Sequence, residues 1–584
     1  MHRKNEELAT IFEKIADMLE FLGDNPYRVS SYRRAAELIS DLSEDIEELH
    51  ASGNLSRLPG IGPSILAKVE EFLKTGSVRK YEELKKKVPE DLLDLLNAPG
   101  IGPKTLRVAY EKLGVRSKED FLRVLKDGTL AKLPGFGPKK TENMLKGIQL
   151  WQSSIERIPL LEAYSIAQGV LEYMKGLEYL LGIEVAGSLR RFKETIGDID
   201  LLISAPRDRW ADIHEHFVNY DGTERILLKG ETKSSVVLKN GRQVDLRTVE
   251  PESWGAALQY FTGSKEHNIR IRDIAKEKGL KLNEYGVFVA DTGERIGGKE
   301  EREVYELIGM SWIPPEIREN WGEIELALGG NIPSLVELRD VKGDFHIHTD
   351  WSDGRNSLRD MVETAFRLGL KYVVIGDHSQ SARVAGGLTP KRYEEQWKLI
   401  EKLNEIYNDK GFYILKGCEV DILPDGGLDL PDSLLEGFDF VVASVHMRLN
   451  QDNTYRILKA MENPFVNLIG HPTGKVYGQR EGYPLNMEEV IKMAKETGTA
   501  LEINTFRVDL SPENIRRCVS EGVVLAIVTD AHSVSHLSYM KVGVGIARRG
   551  WATGEAVLNT RDLSGIREFV REKRRKLAHS NPLY

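Results

Sequence analysis

The chain has 584 residues, more than one hydrophobic core usually organises, so several domains are expected. Its composition, 41% hydrophobic and 29% charged residues with two cysteines, excludes a disordered chain and a disulfide framework. The formal net charge of −9 argues only weakly against nucleic-acid binding, because the charge is an average over domains.

The first residues, MHRKNEELATIFEKIADMLEFL, mix charged and apolar residues at helical spacing. This pattern is typical of neither a signal peptide nor a membrane span. Cys418 and Cys518 are interpreted as buried thiols, which fits a reducing compartment. We therefore predict a cytoplasmic, monomeric protein that does not bind membranes.

Residues 51–150 form a basic region, with 19 Lys and Arg against 12 Asp and Glu. Within it the pattern apolar-Pro-Gly-x-Gly-Pro occurs three times, as LPGIGP, APGIGP and LPGFGP. The glycines permit a tight turn and the last proline starts a helix, so backbone N–H groups can hold a phosphate. The pattern resembles the helix-hairpin-helix of DNA-binding proteins, and the predicted DNA contacts are Gly60, Gly62, Gly100, Gly102, Gly135 and Gly137.

Lys68 lies on the helix that follows the first hairpin, and Tyr32, Arg28 and Lys80 are possible neighbours. A solvated surface charge is one interpretation of this lysine. A lysine kept partly neutral by burial or by nearby cations could instead attack an aldehyde and form a Schiff base. Composition alone favours the first interpretation.

The next motif is VAGSLRRFKETIGDIDLLI, in which Asp198 and Asp200 stand one residue apart on a predicted strand. Residues i and i+2 of a strand point to one face, so both carboxylates can bind the same pair of divalent cations. A third carboxylate, Asp245, is available in the strand-like GRQVDLRTV. Oxygen ligands favour Mg²⁺, and Ser188 and Arg191 could hold nucleotide phosphates for which Gly197 leaves room.

Gly187-Ser188 followed by Gly197-Asp198-Ile199-Asp200 resembles the palm motif of nucleotidyltransferases, and YFTGSKEHNIRIR from Tyr260 resembles the thumb of family X DNA polymerases. The resemblance implies that Asp198, Asp200 and Asp245 are the catalytic ligands of two Mg²⁺ ions. It implies nucleotide contacts at Gly187, Ser188, Arg191, Gly197, Tyr260, Phe261, Gly263, Asn268 and Arg272, and it places Lys68 where the family has a 5′-deoxyribose phosphate lyase lysine.

This chain departs from the animal branch of that family at three positions. Gln243 replaces an arginine two residues before the third aspartate, and Ser64 and Arg28 replace lysines of the lyase pocket. We therefore expect polymerisation more firmly than lyase activity.

The part of the chain from Gly343 onward opens with GDFHIHTDWSDG and then places His or acidic residues at the ends of apolar runs. Alternation of such runs with helical stretches predicts a β/α barrel with its ligands at the strand ends. The set offers nitrogen and oxygen ligands suited to Zn²⁺, Mn²⁺ or Fe²⁺ and to phosphoester hydrolysis. Its members are His346, His348, Asp353, His378, Glu419, His446, His471, Asp530 and His532.

These motifs resemble the polymerase and histidinol phosphatase (PHP) domain, with every ligand position matched. The resemblance implies a three-metal cluster, Mn²⁺ or Zn²⁺, and 3′-to-5′ exonuclease or 3′-end cleaning activity. Together with the hairpins, palm and thumb, this combination resembles the prokaryotic family X polymerases over nearly the whole chain.

We predict a multidomain α/β protein with helical helix-hairpin-helix domains, an α+β palm, an α/β thumb and a distorted β/α barrel. The predicted boundaries are 1–80 (lyase-like), 81–150 (two further hairpins), 151–255 (palm), 256–315 (thumb), 316–340 (linker) and 341–575 (PHP).

The predicted function is gap filling on gapped or primed duplex DNA with deoxynucleoside triphosphates, in base excision repair, with 3′-to-5′ trimming by the PHP domain. The alternative is a DNA-binding scaffold that carries a small-molecule phosphatase of the histidinol-phosphatase type. The three palm carboxylates argue against a scaffold, because clustered anions repel a phosphate backbone unless metals bind them.

Overall fold

A computed structural model describes residues 3–40, 46–51, 53, 55, 61–98 and 100–580. The chain divides into two compact units, Met1–Ile155 and Glu156–Tyr584. Among the described residues, no helix is both long and apolar enough to cross a membrane. The finer boundaries inside each unit stay predictions.

The N-terminal unit is helical, as the apolar periodicity predicts. Its core buries one apolar face of each long helix, with Phe12, Ile15 and Phe121 fully enclosed. Its helices are α1 (Arg3–Leu22), α2 (Pro26–Ser40), α3 (Ile46–Ala51), α4 (Pro63–Thr75), α5 (Arg79–Lys85), α6 (Glu90–Leu93), α7 (Pro103–Leu113), α8 (Lys118–Lys126) and α9 (Pro138–Glu156).

A mixed five-stranded sheet forms the palm, in the order β2-β4-β7-β6-β5. Strands β4 and β7 are parallel neighbours, and every other pair in this sheet is antiparallel. The palm elements are β1 (Ile158–Pro159), α10 (Leu160–Met174), β2 (Gly182–Val185), α11 (Gly187–Arg190), β3 (Thr195–Ile196), β4 (Ile199–Ser204), α12 (Trp210–Val218), β5 (Thr223–Lys229), β6 (Lys233–Leu238), β7 (Gln243–Val249) and α13 (Trp254–Thr262).

The thumb region combines helices with a three-stranded antiparallel sheet. Its elements are α14 (Lys265–Glu277), β8 (Leu280–Asn283), β9 (Gly286–Val289), β10 (Arg295–Gly297), α15 (Glu301–Leu307) and α16 (Glu323–Leu328). Arg318 is fully buried and donates to Glu301 at 2.7 Å. The segment 316–340, expected as a linker, therefore contains a helix and forms a buried ion pair with α15.

Seven parallel strands, β11 to β17 in chain order, form the C-terminal barrel. Its elements are β11 (Gly343–Ile347), α17 (Leu358–Arg367), β12 (Tyr372–Ile375), α18 (Pro390–Tyr407), β13 (Tyr413–Asp421), α19 (Asp432–Leu435), β14 (Phe440–Ser444), α20 (Thr454–Met461), β15 (Leu468–Ile469), α21 (Met487–Thr497), β16 (Ala500–Asn504), α22 (Pro512–Glu521), β17 (Leu525–Val528), α23 (Met540–Arg549) and α24 (Leu563–Ser580). The first and last strands nearly close the barrel, because His348 N–H donates to the Ala531 carbonyl at 2.8 Å.

Candidate functional sites

The three palm carboxylates gather at the ends of two parallel strands. Asp200 on β4 and Asp245 on β7 are direct register partners, and Asp198 lies just before β4. Neighbouring residues of parallel strands share one face, so Asp200 and Asp245 point the same way. The structure thus brings together the carboxylates that the sequence predicts as metal ligands.

The electrostatics of this site differ from one carboxylate to the next. Burial, with Asp245 and Asp198 nearby, raises the pKa of Asp200 to about 6. Burial would also raise the pKa of Asp245, but hydrogen bonds from Lys233, Gln243 and Ser235 outweigh it and lower that pKa. Crowded carboxylates of this kind fit a divalent cation, which would relieve their mutual repulsion.

The turn between β2 and α11 packs against the side chain of Asp200. Gly187 has φ +59°, and a Cβ there would clash with Asp200 Oδ2, so only glycine fits this position. Ser188 follows on α11 and is half-buried, and Gly197 directly precedes Asp198. The predicted phosphate-binding backbone therefore lies directly beside the carboxylates.

Arg191, predicted to hold nucleotide phosphates, is buried and already has two partners. Its Nε donates to Glu319 at 2.9 Å and its Nη1 donates to the Thr262 carbonyl. Glu319 must therefore give up this ion pair, in part or completely, if Arg191 is to bind a triphosphate.

The predicted sugar and base contacts lie where α13 meets α14. Tyr260 and Phe261 end α13 with their rings edge to face, and Gly263 follows at the turn. Asn268 donates to the Tyr260 carbonyl at 2.7 Å, which fixes the amide against α13. Arg272, one turn further along α14, is exposed.

The nine predicted barrel ligands converge at the carboxyl ends of the strands. Three groups of ligand atoms, each within 4.8 Å of one another, share His348 or His378. These groups are His348, Asp353, His378 and His532; His346, His348 and Asp530; and His378, Glu419 and His446. His471 adjoins them, with Nε2 3.0 Å from Glu419 Oε1.

Imidazole nitrogens without protein partners fit metal binding at this cluster. His348 Nδ1 and His471 Nδ1 are buried and have no hydrogen-bond partner among the described residues. Burial, reinforced by His532 and His378, lowers the pKa of His348 to about 3, so this imidazole stays neutral and can act as a ligand. A donor set of six imidazoles and three carboxylates suits several divalent cations.

Two further carboxylates orient the ligands. Glu502 on β16 lies 2.8 Å from His346 Nδ1, and Asp421 on β13 lies 2.5 Å from His446 Nδ1. Such partners fix the tautomer and the ring orientation of a metal-binding histidine. Sequence reasoning missed both, although Asp421 follows Glu419 at strand spacing and could have been found.

Other functional candidates have no local sequence signal. Lys233 Nζ lies 2.5 Å from Asp245 Oδ2, and Gln243 Nε2 donates to Asp245 Oδ1 at 2.9 Å. Arg507 lies at the barrel cluster, with Nε 3.5 Å from Asp530 Oδ2. Gln243, which departs from the animal branch of the family, thus contacts the third aspartate directly.

In the N-terminal unit, the hairpin glycines shape turns that leave helix N-termini open. Gly100 and Gly135 have φ of +83° and +85°, whereas Gly62 and Gly102 cap α4 and α7 without a side-chain bond from any described residue. Gly137 accepts the first hydrogen bonds of α9. Open N–H groups suit phosphate, whereas Gly60 lies outside the described residues.

Lys68 lies on α4 with its Nζ 5.6 Å from the centre of the Tyr32 ring. The ammonium donates to the Ser64 carbonyl at 2.9 Å and to Ser64 Oγ at 3.0 Å. Burial lowers the pKa of Lys68, and the cations Arg28 and Lys80 lower it further against the opposing effect of Glu71.

Comparison with known proteins supports both halves of this description. Family models match a helix-hairpin-helix domain (residues 3–78), a SAM-like helix-hairpin-helix tandem (92–149), the DNA polymerase beta palm (157–233) and thumb (257–319), and a PHP domain (344–506). The chain is 39% identical over 578 residues to the DNA polymerase/3′-5′ exonuclease PolX of Bacillus subtilis (strain 168), covering 98% of this chain and 100% of that protein. The chain belongs to the PolX-type family X DNA polymerases.

Two other relatives match one half of this polymerase each. DNA polymerase lambda of Rattus norvegicus is 26% identical over 343 residues, covering 54% of this chain and 56% of that protein. A probable phosphatase of Thermoanaerobacter sp. (strain X514) is 31% identical over 250 residues, covering 40% of this chain and 96% of that protein. The predicted family, the predicted architecture and the prediction of a DNA polymerase with a PHP domain are confirmed.

The raised pKa of Asp200 makes a prediction for metal-free protein. Ionising the buried Asp200 destabilises the folded state. The free energy of unfolding therefore falls as the pH rises from the ordinary pKa of 3.8 to the raised pKa of about 6. In EDTA, Asp200→Asn should stabilise the palm at pH 7.5 by on the order of 2 kcal/mol, and by less at pH 5. Thermal unfolding at the two pH values measures this, with Asp212→Asn, at an exposed position of α12, as the control. An equal gain at both pH values would contradict the prediction.

Glu419 contacts the most imidazoles of the barrel cluster, so we expect Glu419→Gln to release metal. Loss of a residue that only hydrogen-bonds to a metal ligand lowers metal affinity or activity about 10- to 100-fold. Loss of this ligand should therefore lower exonuclease activity at least about 100-fold. Metal content by mass spectrometry and exonuclease assays check this, with Glu401→Gln on α18, an exposed partner of Lys416, as the control. Full metal content in Glu419→Gln would contradict the prediction.

Proposed function

We propose that this protein fills short gaps in DNA during base excision repair and trims the same 3′ ends with its barrel. The observation that supports the proposal is that one compact unit holds two chemically different clusters of potential metal ligands, carboxylates in the palm and mainly imidazoles in the barrel. The expected ligands are two Mg²⁺ ions for Asp198, Asp200 and Asp245, and Mn²⁺ or Zn²⁺ for the barrel cluster.

When bound, these cations would activate the attacking oxygen and offset charge on the leaving group at each site. In the palm, Ser188 and the backbone at Gly187 and Gly197 would orient the triphosphate. Arg191 would bind it by fork-like hydrogen bonds after leaving Glu319.

The remaining nucleotide contacts would select and align the substrate. Tyr260, Phe261 and Gly263 would line the sugar pocket, and Asn268 and Arg272 would lie along the base and the template strand. Sequence information would then come from the template strand, because the hairpins would contact phosphates, which carry no base identity.

In the barrel, Glu502 and Asp421 would hold His346 and His446 in their ligand orientations. Arg507 would contribute a positive charge next to the scissile phosphate. The buried floor of His346, His348 and Glu419 would exclude bulk water around the phosphodiester.

A reciprocal pair of variants tests the two activities on one labelled one-nucleotide-gap duplex. Asp200→Ala should lose primer lengthening and keep primer shortening, because only the palm ligand set is broken. Glu419→Gln should show the reverse. Loss of both activities in either variant would contradict two separate sites.

The similarity of the barrel to a probable phosphatase favours a second candidate function, hydrolysis of a small phosphate monoester. The full-length protein should then hydrolyse histidinol phosphate faster than it shortens DNA. We expect instead that the protein shortens DNA faster than it hydrolyses histidinol phosphate, since the hairpins and the palm would deliver a primer end to the barrel.

We also propose a 5′-deoxyribose phosphate lyase activity for Lys68. The neutral amine would attack the sugar aldehyde and lose water to form a Schiff base. The lowered pKa of Lys68 and its position beside Tyr32 support this proposal.

Borohydride trapping on a 5′-deoxyribose phosphate duplex tests the lyase. We expect a covalent adduct with wild-type protein and with Lys74→Ala, the exposed lysine of the same helix. Lys68→Ala should give none, because the Schiff base cannot form. An undiminished adduct in Lys68→Ala would assign the nucleophile elsewhere.

A further inference from the structure

The barrel contributes directly to the surroundings of the nucleotide-binding turn. Helix α23 of the barrel packs against the turn that follows Arg191, and a Cβ at Gly545 would overlap the ring of Phe192. Arg549 at the end of α23 approaches the Arg191 carbonyl at 3.5 Å and Glu194 Oε1 at 3.5 Å. The turn that follows Arg191 in the palm therefore packs against the PHP barrel.

Glu319 joins the two parts because it accepts from two arginines. Arg191 Nε lies 2.9 Å and Arg549 Nη1 lies 2.6 Å from the same oxygen, Oε1. All three side chains are buried, with exposed fractions of 9%, 3% and 8% for Arg191, Arg549 and Glu319. Burial would raise the pKa of Glu319, but Arg191 and Arg549 together lower it, so the carboxylate stays ionised.

The two ion pairs of Glu319 determine whether Arg191 can turn toward a nucleotide without leaving a buried charge unpaired. A buried carboxylate that loses its only counter-charge is strongly unfavourable. If Arg191 turns toward a triphosphate, Glu319 needs a second cation that stays behind. Arg549 can provide this cation, because its side chain is held by Glu194 and by the Arg191 carbonyl. Its guanidinium carbon also lies 5.4 Å from the centre of the Trp321 ring.

We propose that Arg549 is a positioning residue for the polymerase reaction, which keeps Glu319 neutralised while Arg191 binds the incoming nucleotide. This proposal rests on the assignment of Arg191 to the triphosphate made above. It places a residue of the PHP domain in the nucleotide-binding step of the palm.

Single-turnover insertion of one nucleotide into a one-nucleotide-gap duplex tests the proposal with the full-length protein. Arg549→Ala should raise the apparent Kd of the nucleotide roughly tenfold and change the maximum insertion rate by less than about threefold. A loss confined to the maximum rate, or an unchanged Kd, would overturn the proposal.

Removing the charge on Glu319 should reverse the defect. The double variant Arg549→Ala/Glu319→Gln is expected to recover most of the nucleotide affinity, because a neutral amide needs no counter-charge. Glu319→Gln alone should bind the nucleotide at least as tightly as wild type. This variant has no carboxylate at position 319 that could be left unpaired, so it still tests the proposal if Arg549→Ala folds poorly. Weaker binding by Glu319→Gln, or no recovery in the double variant, would overturn the proposal.

Arg548 provides the matched control, since it also lies at the end of α23 and pairs with Glu316 at 2.7 Å. Arg548→Ala should leave the nucleotide Kd unchanged, and an equal rise there would mean a general loosening and overturn the proposal. Arg191→Ala distinguishes the assignment of Arg191 to the triphosphate from the positioning role of Arg549. If it leaves Kd unchanged, the assignment of Arg191 and this proposal both fail; if it raises Kd while Arg549→Ala does not, this proposal alone fails.

Discussion

The constraint on which both sites depend is the electrostatic cost of crowding ionisable groups in a low-dielectric interior. In the palm, Asp200 carries a pKa raised to about 6 because burial and two neighbouring carboxylates oppose its ionisation. In the barrel, burial drives the His348 pKa down to about 3. Such groups raise the energy of the folded protein, and bound cations would offset this energy.

The same geometric device assembles both sites. Parallel strands bring their carboxyl ends or register partners side by side, so residues distant in sequence meet without long loops. In the palm this unites Asp200 and Asp245 across β4 and β7. In the barrel it unites predicted ligands that lie on or just after six different strands, from His346 to His532.

The sequence was sufficient for the architecture, because short motifs are typical of each domain. Asp-x-Asp on a strand and His-x-His also predict which side chains lie close together, and the structure brings those side chains into two clusters, whose chemical roles stay predictions. Lys233, Glu502 and Arg549 could not be found this way, since each acts on a residue reached only through the tertiary fold. The burial of Arg318 in the expected linker was hidden for the same reason.

The seating of Phe192 on Gly545 bears on how such a chain could evolve or be engineered. A truncation at residue 340 would strip an aromatic ring of its cover and leave Glu319 with one cation instead of two. The PHP domain is therefore part of the structure that supports the polymerase palm. Losing this domain by gene deletion would require compensating changes on the palm surface.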